Sequence, residues 1–386
     1  MLILFISIRF WSFQLISDSF YDILDILAIG YMLFVYLTQK HKIRNGMYLN
    51  KYLLWMFFFI LFSSIPAYFL HGQSFIYSVM ALRLFGYWLL YYVLHCFNVS
   101  SKVIIKIIVF IAMVWVTILI VQHFTYPNVF FYTKGLSIND KEVEIRNGIY
   151  RLMTFRHNYA MLCAVLFFIK YSIEKKISFL LIAIYCLIGL YIYSTRQYLS
   201  ATILGIILSV LFLKGKSKYF GILVSIIFIV AISINFDVLF GETLAKTNEE
   251  LNESNLRFLS YNYFLFNFSE SPVAYFLGNG FAHDYSTFGE QITKLNELGL
   301  YQSDIGLVGT YSKFGIFYVI SVLIIHFKII FMKLGKDGLY LRIFMIMSFM
   351  LLPLSDFFGI ASAIPLFCIV FYLFDKKYLE LKSRTL

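Results

Sequence analysis

The chain has 386 residues, of which 61% are hydrophobic and 14% charged, and its mean hydropathy is +0.79. A soluble domain cannot bury that much apolar surface, so the composition excludes an ordinary globular protein and favours repeated membrane spans. The formal net charge of +11 does not indicate nucleic-acid binding, because the lysines stand in short segments between apolar runs, where they face anionic lipid.

The apolar runs predict an all-α, polytopic integral membrane protein with about twelve transmembrane helices, since a span needs roughly twenty apolar residues. The first run is short and contains Arg9, so an interfacial helix at the membrane surface is an alternative there. In chain order, the predicted spans are 1–17, 20–38, 52–70, 76–97, 103–122, 157–170, 178–193, 197–213, 219–236, 304–327, 339–353 and 357–374.

The positions of the lysines predict the orientation of these spans. Every second connection is basic, from the loop around Lys40 to the tail around Lys376. Basic loops stay on the cytoplasmic side, so both termini are predicted to be cytoplasmic. The long loops 123–156 and 237–303 are then external, and the whole chain, 1–386, forms a single transmembrane domain. No removable signal peptide is predicted, because the N-terminus lacks a basic region and a small-residue cleavage site.

The second long loop is predicted to be folded. An apolar stripe at helical spacing indicates a helix that ends before Pro272. The residues of this stripe are Leu251, Phe258, Leu259, Leu265 and Phe266. Gly278-Asn279-Gly280 indicates a tight turn, and a second short amphipathic helix is predicted around Ile292, Leu295 and Leu298.

A set of arginines departs from this charge pattern, because its members fall on or near the external side. They are Arg83, Arg146, Arg151, Arg156, Arg196 and Arg257. Cations placed against the positive-inside bias need a partner or a function. The hypothesis that explains them together is an anionic ligand at the outer membrane face.

Two of these arginines border spans directly. Arg83 lies inside the fourth span and is interpreted as a phosphate ligand; snorkelling to headgroups, or a pair with a carboxylate such as Asp25, is the structural alternative. Arg196 follows Ser194 and Thr195, either of which is predicted to cap the next helix and place Arg196 at its positively polarised start. Backbone amides and a guanidinium then bind an anion together, and the alternative is a plain interfacial anchor.

The other arginines stand beside or within the long loops. Arg151 and Arg156 belong to a stretch that enters the sixth span near the membrane surface, where a polar helix start is the alternative. Arg257 lies on the predicted loop helix, where a salt bridge to Glu253 is the alternative.

Candidate proton acceptors follow the long loop. His283 and Asp284 come after the glycine turn, and Asp304 enters the tenth span, where a helix cap is its alternative role. A carboxylate or an imidazole at these places has the chemistry to accept a proton from a sugar hydroxyl. Three further acidic residues share one face of the second span and are interpreted mainly as structural: Asp18, Asp22 and Asp25. No metal or nucleotide motif is present, so no cofactor and no metal are predicted.

Together these motifs resemble the bacterial O-antigen polymerase and O-antigen ligase superfamily, integral-membrane glycosyltransferases of the GT-C type. The resemblance covers residues 145–320 in the main. It rests on Arg151-Leu-Met-Thr-Phe-Arg-His-Asn158, Ser194-Thr-Arg-Gln197, Asn255-Leu-Arg257, and the series Gly278-Asn-Gly280, Asp304-Ile-Gly306 and Lys313-Phe-Gly315.

The resemblance implies a donor glycan on undecaprenyl diphosphate at the periplasmic face of the bacterial inner membrane. Another lipid-linked repeat unit accepts it, and a chain-length regulator protein is a further partner of such enzymes. Arg196 and Arg257 are expected to bind the diphosphate and stabilise its developing charge, with Arg83, Arg151 and Arg156 in support. Asp304 or His283 is expected to activate the acceptor.

Two alternatives to a polymerase stay open. Asp304 stands where ligases commonly carry a histidine, which favours a polymerase over a ligase. A flippase for lipid-linked oligosaccharides is the alternative from another class, and it predicts two pseudo-repeated bundles around a central cavity. No such internal repeat is visible in the sequence.

Overall fold

The structure is a computed structural model, and its described parts are mainly helical. The described residues are 2–13, 15–43, 46–126, 128, 130–131, 145–146, 149–150, 157–193, 195–213, 215, 218–223, 226, 255–332 and 334–385. Within these residues there is one pair of short β-strands, in which Ile145–Arg146 lies antiparallel to Ile149–Tyr150. The predicted all-α class is therefore confirmed for the described chain.

The α-helices of the described residues are numbered here in chain order. They are α1 (Leu2–Ser7), α2 (Asp18–Gln39), α3 (Asn50–Phe62), α4 (Ser64–His71), α5 (Phe75–Leu82), α6 (Leu89–Cys96), α7 (Ser101–Thr125), α8 (His157–Glu174), α9 (Ile177–Ile192), α10 (Arg196–Phe212), α11 (Asn255–Asn262), α12 (Pro272–Leu277), α13 (Thr287–Glu297), α14 (Gly306–Phe331), α15 (Leu339–Leu351) and α16 (Ile364–Thr385). A 3-10 stretch, Arg83–Trp88, joins α5 to α6.

Five helical segments of the described chain are long and apolar enough to cross a membrane. They are Asp18–Lys42, Asn50–His71, Phe75–Cys96, Ser101–Thr125 and Gln302–Phe331. They coincide with the second, third, fourth, fifth and tenth predicted spans, and α9 and α10 are shorter apolar helices. These helices indicate a membrane protein, whereas the total of about twelve spans and their orientation stay predictions. Most of the predicted span 219–236 lies outside the described residues.

The N-terminal segment differs from its predicted span 1–17. Helix α1 has six residues, so it is about 9 Å long and too short to cross a bilayer. Arg9, Phe10 and Trp11 follow with positive φ angles of 48°, 44° and 58°, which end the helix. The side chain of Arg9 reaches two carboxylates of α2, and this attraction is the physical reason that the segment folds back instead of continuing.

The main core lies around α8 and α16. From His157 to Ile169 every residue of α8 is buried, and so is every residue of α16 from Ile364 to Phe374. A helix that is apolar on all sides belongs in the interior of a bundle. By contrast, α2 and α3 leave large side chains exposed, such as Trp55 at 58%, as expected of a surface that faces lipid.

Helix α14 is broken where the long loop docks onto it. Gly315 has φ 78° and ψ 178°, a conformation that is essentially confined to glycine. The carbonyls of Ser312 and Lys313, in the turn before the break, accept hydrogen bonds of 2.9 Å each from the amides of Asn279 and Gly280. The predicted glycine turn is thus confirmed, and it satisfies polar groups of an interrupted apolar helix. A Cβ on Gly278 would collide with the Lys313 carbonyl, so the close approach itself needs glycine.

The loop segment beyond residue 255 has a small core of its own. Helix α11 continues as a π-helical turn to Asn267 and ends before Pro272, as predicted, and the predicted second amphipathic helix is α13. The buried side chains of this core are Phe264, Phe268, Phe288 and Ile305. The ring of His71, from α4, stacks on Phe288 with 4.0 Å between centroids. The described part of this loop, 255–303, is therefore folded and packed against the helices, whereas Leu251 of the predicted stripe lies outside the described residues.

Gly315→Ala is expected to destabilise the protein by about 1–3 kcal/mol, because alanine is strained at this φ and its Cβ would strike the Phe276 carbonyl. Thermal unfolding of the purified protein in detergent measures this change. Gly30→Ala in α2 is the matched control, since nothing lies within 4 Å of the added Cβ. That variant should be more stable by about 0.5–1 kcal/mol. Equal unfolding temperatures for the two variants would contradict the role of the break.

Candidate functional site

A cavity brings three distant parts of the chain together. Its volume is about 220 Å³, and its polar lining consists of Arg83, His283 and Asp284. The remaining lining residues are small or apolar: Ala81, Leu84, Phe85, Phe281, Ala282, Gly359 and Ala361. Ligand pockets usually measure roughly 300–1,000 Å³, so this cavity has the size for one polar head of a larger substrate.

Arg83 lies where α5 passes into the 3-10 stretch, so its side chain leaves an irregular part of the helix. Its guanidinium donates to the Met80 carbonyl at 3.0 Å and pairs with Asp22 at 3.1 Å. The pairing alternative weighed from the sequence is therefore realised, although with Asp22 in place of Asp25. Because the Arg83 side chain stays about one-third exposed, it is still accessible from the cavity.

Asp22 belongs to a charge network that the sequence did not reveal. Arg9 donates to Asp22 at 2.9 Å and to Asp25 at 3.0 Å, and the Tyr87 hydroxyl also donates to Asp25. Burial alone would lower the pKa of the Arg9 guanidinium, but the carboxylates of Asp25 and Asp22 raise it, and the net direction is upward. The network places the acidic face of α2 next to Arg83.

His283 is held in a defined orientation. It is buried, its ring stacks on Tyr77 with 4.9 Å between centroids, and its Nδ1 accepts a hydrogen bond of 3.2 Å from the backbone amide of Tyr285. A backbone N–H only donates, so the proton of the neutral ring is on Nε2. In this arrangement His283 is a hydrogen-bond donor, which fits a leaving oxygen better than it fits an acceptor hydroxyl. Asp284, the next residue, is exposed and lines the same cavity.

Asp304 is not among the residues that line this cavity. It lies in the 3-10 turn Gln302–Ile305, is exposed, and accepts a hydrogen bond of 3.0 Å from the Ser303 hydroxyl. Its side chain makes no capping hydrogen bond to α14, so the structure shows neither the helix cap nor a shared site with Arg83.

Arg196 is the first residue of α10 and is half-buried. Thr195 precedes α10, but its hydroxyl donates to the Tyr193 carbonyl at 3.4 Å and makes no capping hydrogen bond, so a side-chain cap by Thr195 is wrong. Ser194, the other predicted cap, lies outside the described residues. Two residues further on, Tyr198 stacks on His157 with 3.7 Å between centroids. His157 was expected near the membrane surface, but it is buried in this aromatic stack.

Arg257 is exposed on α11. Burial raises the pKa of the Tyr261 hydroxyl, and the nearby charge of Arg257 opposes that shift, which places the guanidinium close to this ring. The Tyr261 hydroxyl donates to the carbonyl of Pro353 in the connection between α15 and α16. Glu253, the partner weighed from the sequence, lies outside the described residues, as do Arg151 and Arg156.

Three of the four described arginines of the predicted set lie near residues that contact the α15–α16 connection. The Tyr261 hydroxyl, close to Arg257, donates to the Pro353 carbonyl, and the hydroxyl of Tyr198, two residues after Arg196, donates to Ser355 at 3.5 Å. Arg83 shares its cavity with Gly359 and Ala361 of the same connection. Of these three arginines, only Arg83 lines the cavity with a candidate acid or base. The fourth, Arg146, is described only as part of the short strand Ile145–Arg146.

Sequence reasoning missed a buried carboxylate that pins this connection. Asp356 is 2% exposed and accepts hydrogen bonds from Thr310 at 2.7 Å, Tyr318 at 2.9 Å and the amide of Phe358 at 3.0 Å. Lys313 on α14 was named only as part of a motif and was given no role; its Nζ lies 5.0 Å from the ring centroid of Phe281, a cavity residue. An ionisable residue inside or beside an apolar run was the available signal for both.

No protein-family model, curated protein or solved structure matches this chain. The resemblance described above therefore stays a hypothesis from short motifs.

Asp25→Asn is expected to lower the stability of the protein, because hydrogen bonds to a buried charged group contribute roughly 1.5–3 kcal/mol. Asp18→Asn, at the half-buried first residue of α2, is the matched control and should cost only about 0.3–1 kcal/mol. Thermal unfolding in detergent compares the two variants. If both lose the same stability, the buried network does not anchor the N-terminal segment.

Proposed function

We propose that the protein is a metal-independent membrane glycosyltransferase that extends a surface polysaccharide. Its donor is a glycan on undecaprenyl diphosphate, and its acceptor is the terminal hydroxyl of another lipid-linked repeat unit. The observation that carries the proposal is the cavity in which Arg83, His283 and Asp284 meet. This set supplies a cation, a hydrogen-bond donor and a carboxylate, which are the groups that such a transfer needs.

The proposed step assigns a role to each group. The Asp284 carboxylate takes the proton of the acceptor hydroxyl while its oxygen forms a bond to the anomeric carbon of the donor sugar. The bond from that carbon to the diphosphate breaks, and the lipid diphosphate leaves with the electron pair. Arg83 and the Nε2–H of His283 face the negative charge that develops on the diphosphate. Donors already held in place stabilise this charge more in the transition state than in the ground state.

The ion pair of Arg83 with Asp22 is compatible with this role. A diphosphate carries more negative charge than one carboxylate and accepts the forked hydrogen bonds of a guanidinium. Arg83 and Asp22 are both about one-third exposed, at 32% and 39%, so the pair is screened by solvent and readily exchanged. Asp22 therefore keeps Arg83 oriented until the anionic head of the donor replaces it.

A polymerisation assay with the purified full-length protein in detergent tests the proposal. The substrate is the lipid-linked repeat unit extracted from cells that carry the gene, and the product is a ladder of longer glycans. Arg83→Ala should lower the rate roughly 10²–10³-fold, because one preorganised donor to the developing charge is lost. Arg342→Ala is the matched control, since Arg342 packs over Phe212 at the far end of α10 from Arg196. Full activity of Arg83→Ala would contradict the assignment.

Asp284→Asn tests the proposed base in the same assay and should lower the rate roughly 10²–10⁴-fold. Asp304→Asn is its control, because Asp304 is equally exposed but lies outside the cavity lining. If Asp304→Asn is inactive and Asp284→Asn is active, the acceptor is activated at the start of α14 and not in the cavity. Turnover in detergent, without sealed compartments, also separates a polymerase from a flippase.

The proposed site must face the periplasm. A cysteine introduced at Glu290, which is exposed on α13, should be labelled by a membrane-impermeant thiol reagent in cells with permeable outer membranes. A cysteine at Lys40, exposed at the predicted cytoplasmic end of α2, should be protected until the inner membrane is opened. The native cysteines are all buried, so they add little background. Labelling of the Lys40 position alone would overturn the orientation and the proposed function with it.

A further inference from the structure

The short connection between α4 and α5 contains a glutamine that is completely buried. Gln73 is 0% exposed, although it lies next to the exposed Gly72. Burying an amide without partners costs free energy, so a buried glutamine is expected to be fully hydrogen-bonded. Its partners identify what this connection holds in place.

Gln73 joins the helix that leads to Arg83 with the segment that carries His283. Its Nε2 donates to the Ser78 hydroxyl of α5 at 3.0 Å and to the Phe281 carbonyl at 2.9 Å. Its Oε1 accepts from the backbone amide of His283 at 2.9 Å and from the Ser286 hydroxyl at 2.7 Å. With two donated and two accepted hydrogen bonds, the amide group of Gln73 is fully hydrogen-bonded. This one side chain therefore holds both ends of the segment 281–286.

His71 extends this contact from the other end of the connection. Its Nε2 lies 3.1 Å from Oδ1 of Asn279, and the Asn279 amide donates to the Ser312 carbonyl at 3.0 Å and to the Ser269 hydroxyl at 2.9 Å. A carbonyl only accepts, so the Asn279 amide is oriented with its oxygen toward His71, and His71 donates through Nε2. The segment that lines the cavity is thus held just before residue 281 as well.

We propose that Gln73 is a positioning residue of the transferase, which fixes His283 and Asp284 relative to Arg83. The inference rests on the proposed function, since it concerns the same cavity. Gln73 does not line the cavity and so acts only through the segment it holds. A buried and fully satisfied polar network is rigid, and a displacement of about 1 Å at a reacting group costs up to about 10²-fold in rate.

Two substitutions of Gln73 separate its contacts. Gln73→Met keeps the length of the side chain and loses all four hydrogen bonds, so kcat should fall about 10²-fold while KM for the lipid-linked donor changes little. Gln73→Glu still accepts from the His283 amide and the Ser286 hydroxyl, but it no longer donates to the Phe281 carbonyl. It should therefore retain more activity than Gln73→Met. The split between kcat and KM distinguishes misplaced groups from weakened binding.

The chain offers a matched control in Gln122. This glutamine is also 0% exposed; its Nε2 donates to the Phe131 carbonyl at 2.8 Å, and its Oε1 accepts from the Phe130 amide at 3.0 Å. It holds the end of α7 to the following loop and has no contact with the cavity lining. Gln122→Met should lose comparable stability and keep the parental kcat.

Hydrogen exchange on the same full-length proteins in detergent supplies a readout that is independent of activity. The amides of 281–286 should exchange about tenfold faster in Gln73→Met and unchanged in Gln122→Met. Unchanged exchange in Gln73→Met overturns the inference whatever the activity, and faster exchange with the parental kcat overturns the positioning role. If the parent protein does not lengthen the lipid-linked units, the proposed function is wrong, and so is the positioning role of Gln73 in it. The exchange data then still decide whether Gln73 holds the segment 281–286 in place.

Discussion

The break in α14 and the glycine turn that binds to it determine where the second long loop docks onto the helices. A helix that is interrupted in apolar surroundings leaves carbonyl groups that no water reaches, and these groups must find partners within the protein. The carbonyls of Ser312 and Lys313 find them in the amides of Asn279 and Gly280. Because the segment 281–286 follows directly, the place where this turn docks also decides where His283 and Asp284 lie. The candidate site is a consequence of satisfying the backbone of one broken helix.

The charged groups near the cavity also have partners within the protein. Asp25 is 1% exposed and is tolerated because Arg9 and Tyr87 donate to it. Asp22 is less buried and is shared between Arg9 and Arg83. Asp25, the more buried carboxylate, therefore has a structural role. Asp22, the more exposed one, is a partner of Arg83 that an anionic ligand is able to replace. The network thus keeps a cation available inside a segment where an isolated charge would be costly.

Hydropathy predicted the helices well, and it predicted their partners poorly. The fourth span was expected at 76–97 and is found at Phe75–Cys96, since a long apolar run has few other ways to satisfy its backbone. The acidic face of α2 was visible as a spacing, but spacing does not tell which carboxylate a distant arginine reaches. The orientation of His283 was not predictable either, because it depends on Gln73, which is 210 residues away in the sequence. Contacts of this kind arise only when the loop has docked.

The choice between Asp284 and Asp304 as proton acceptor shows what the docking adds. Both are exposed carboxylates near the end of the long loop, and by sequence Asp304 was the stronger candidate because it enters a span. In the folded chain Asp284 shares a cavity with Arg83, whereas Asp304 is bonded to its neighbour Ser303. Gly359 and Ala361 of the α15–α16 connection line the same cavity. Asp356 holds this connection through hydrogen bonds from Thr310 and Tyr318. The wall of the candidate site therefore depends on a buried carboxylate that hydropathy alone does not identify.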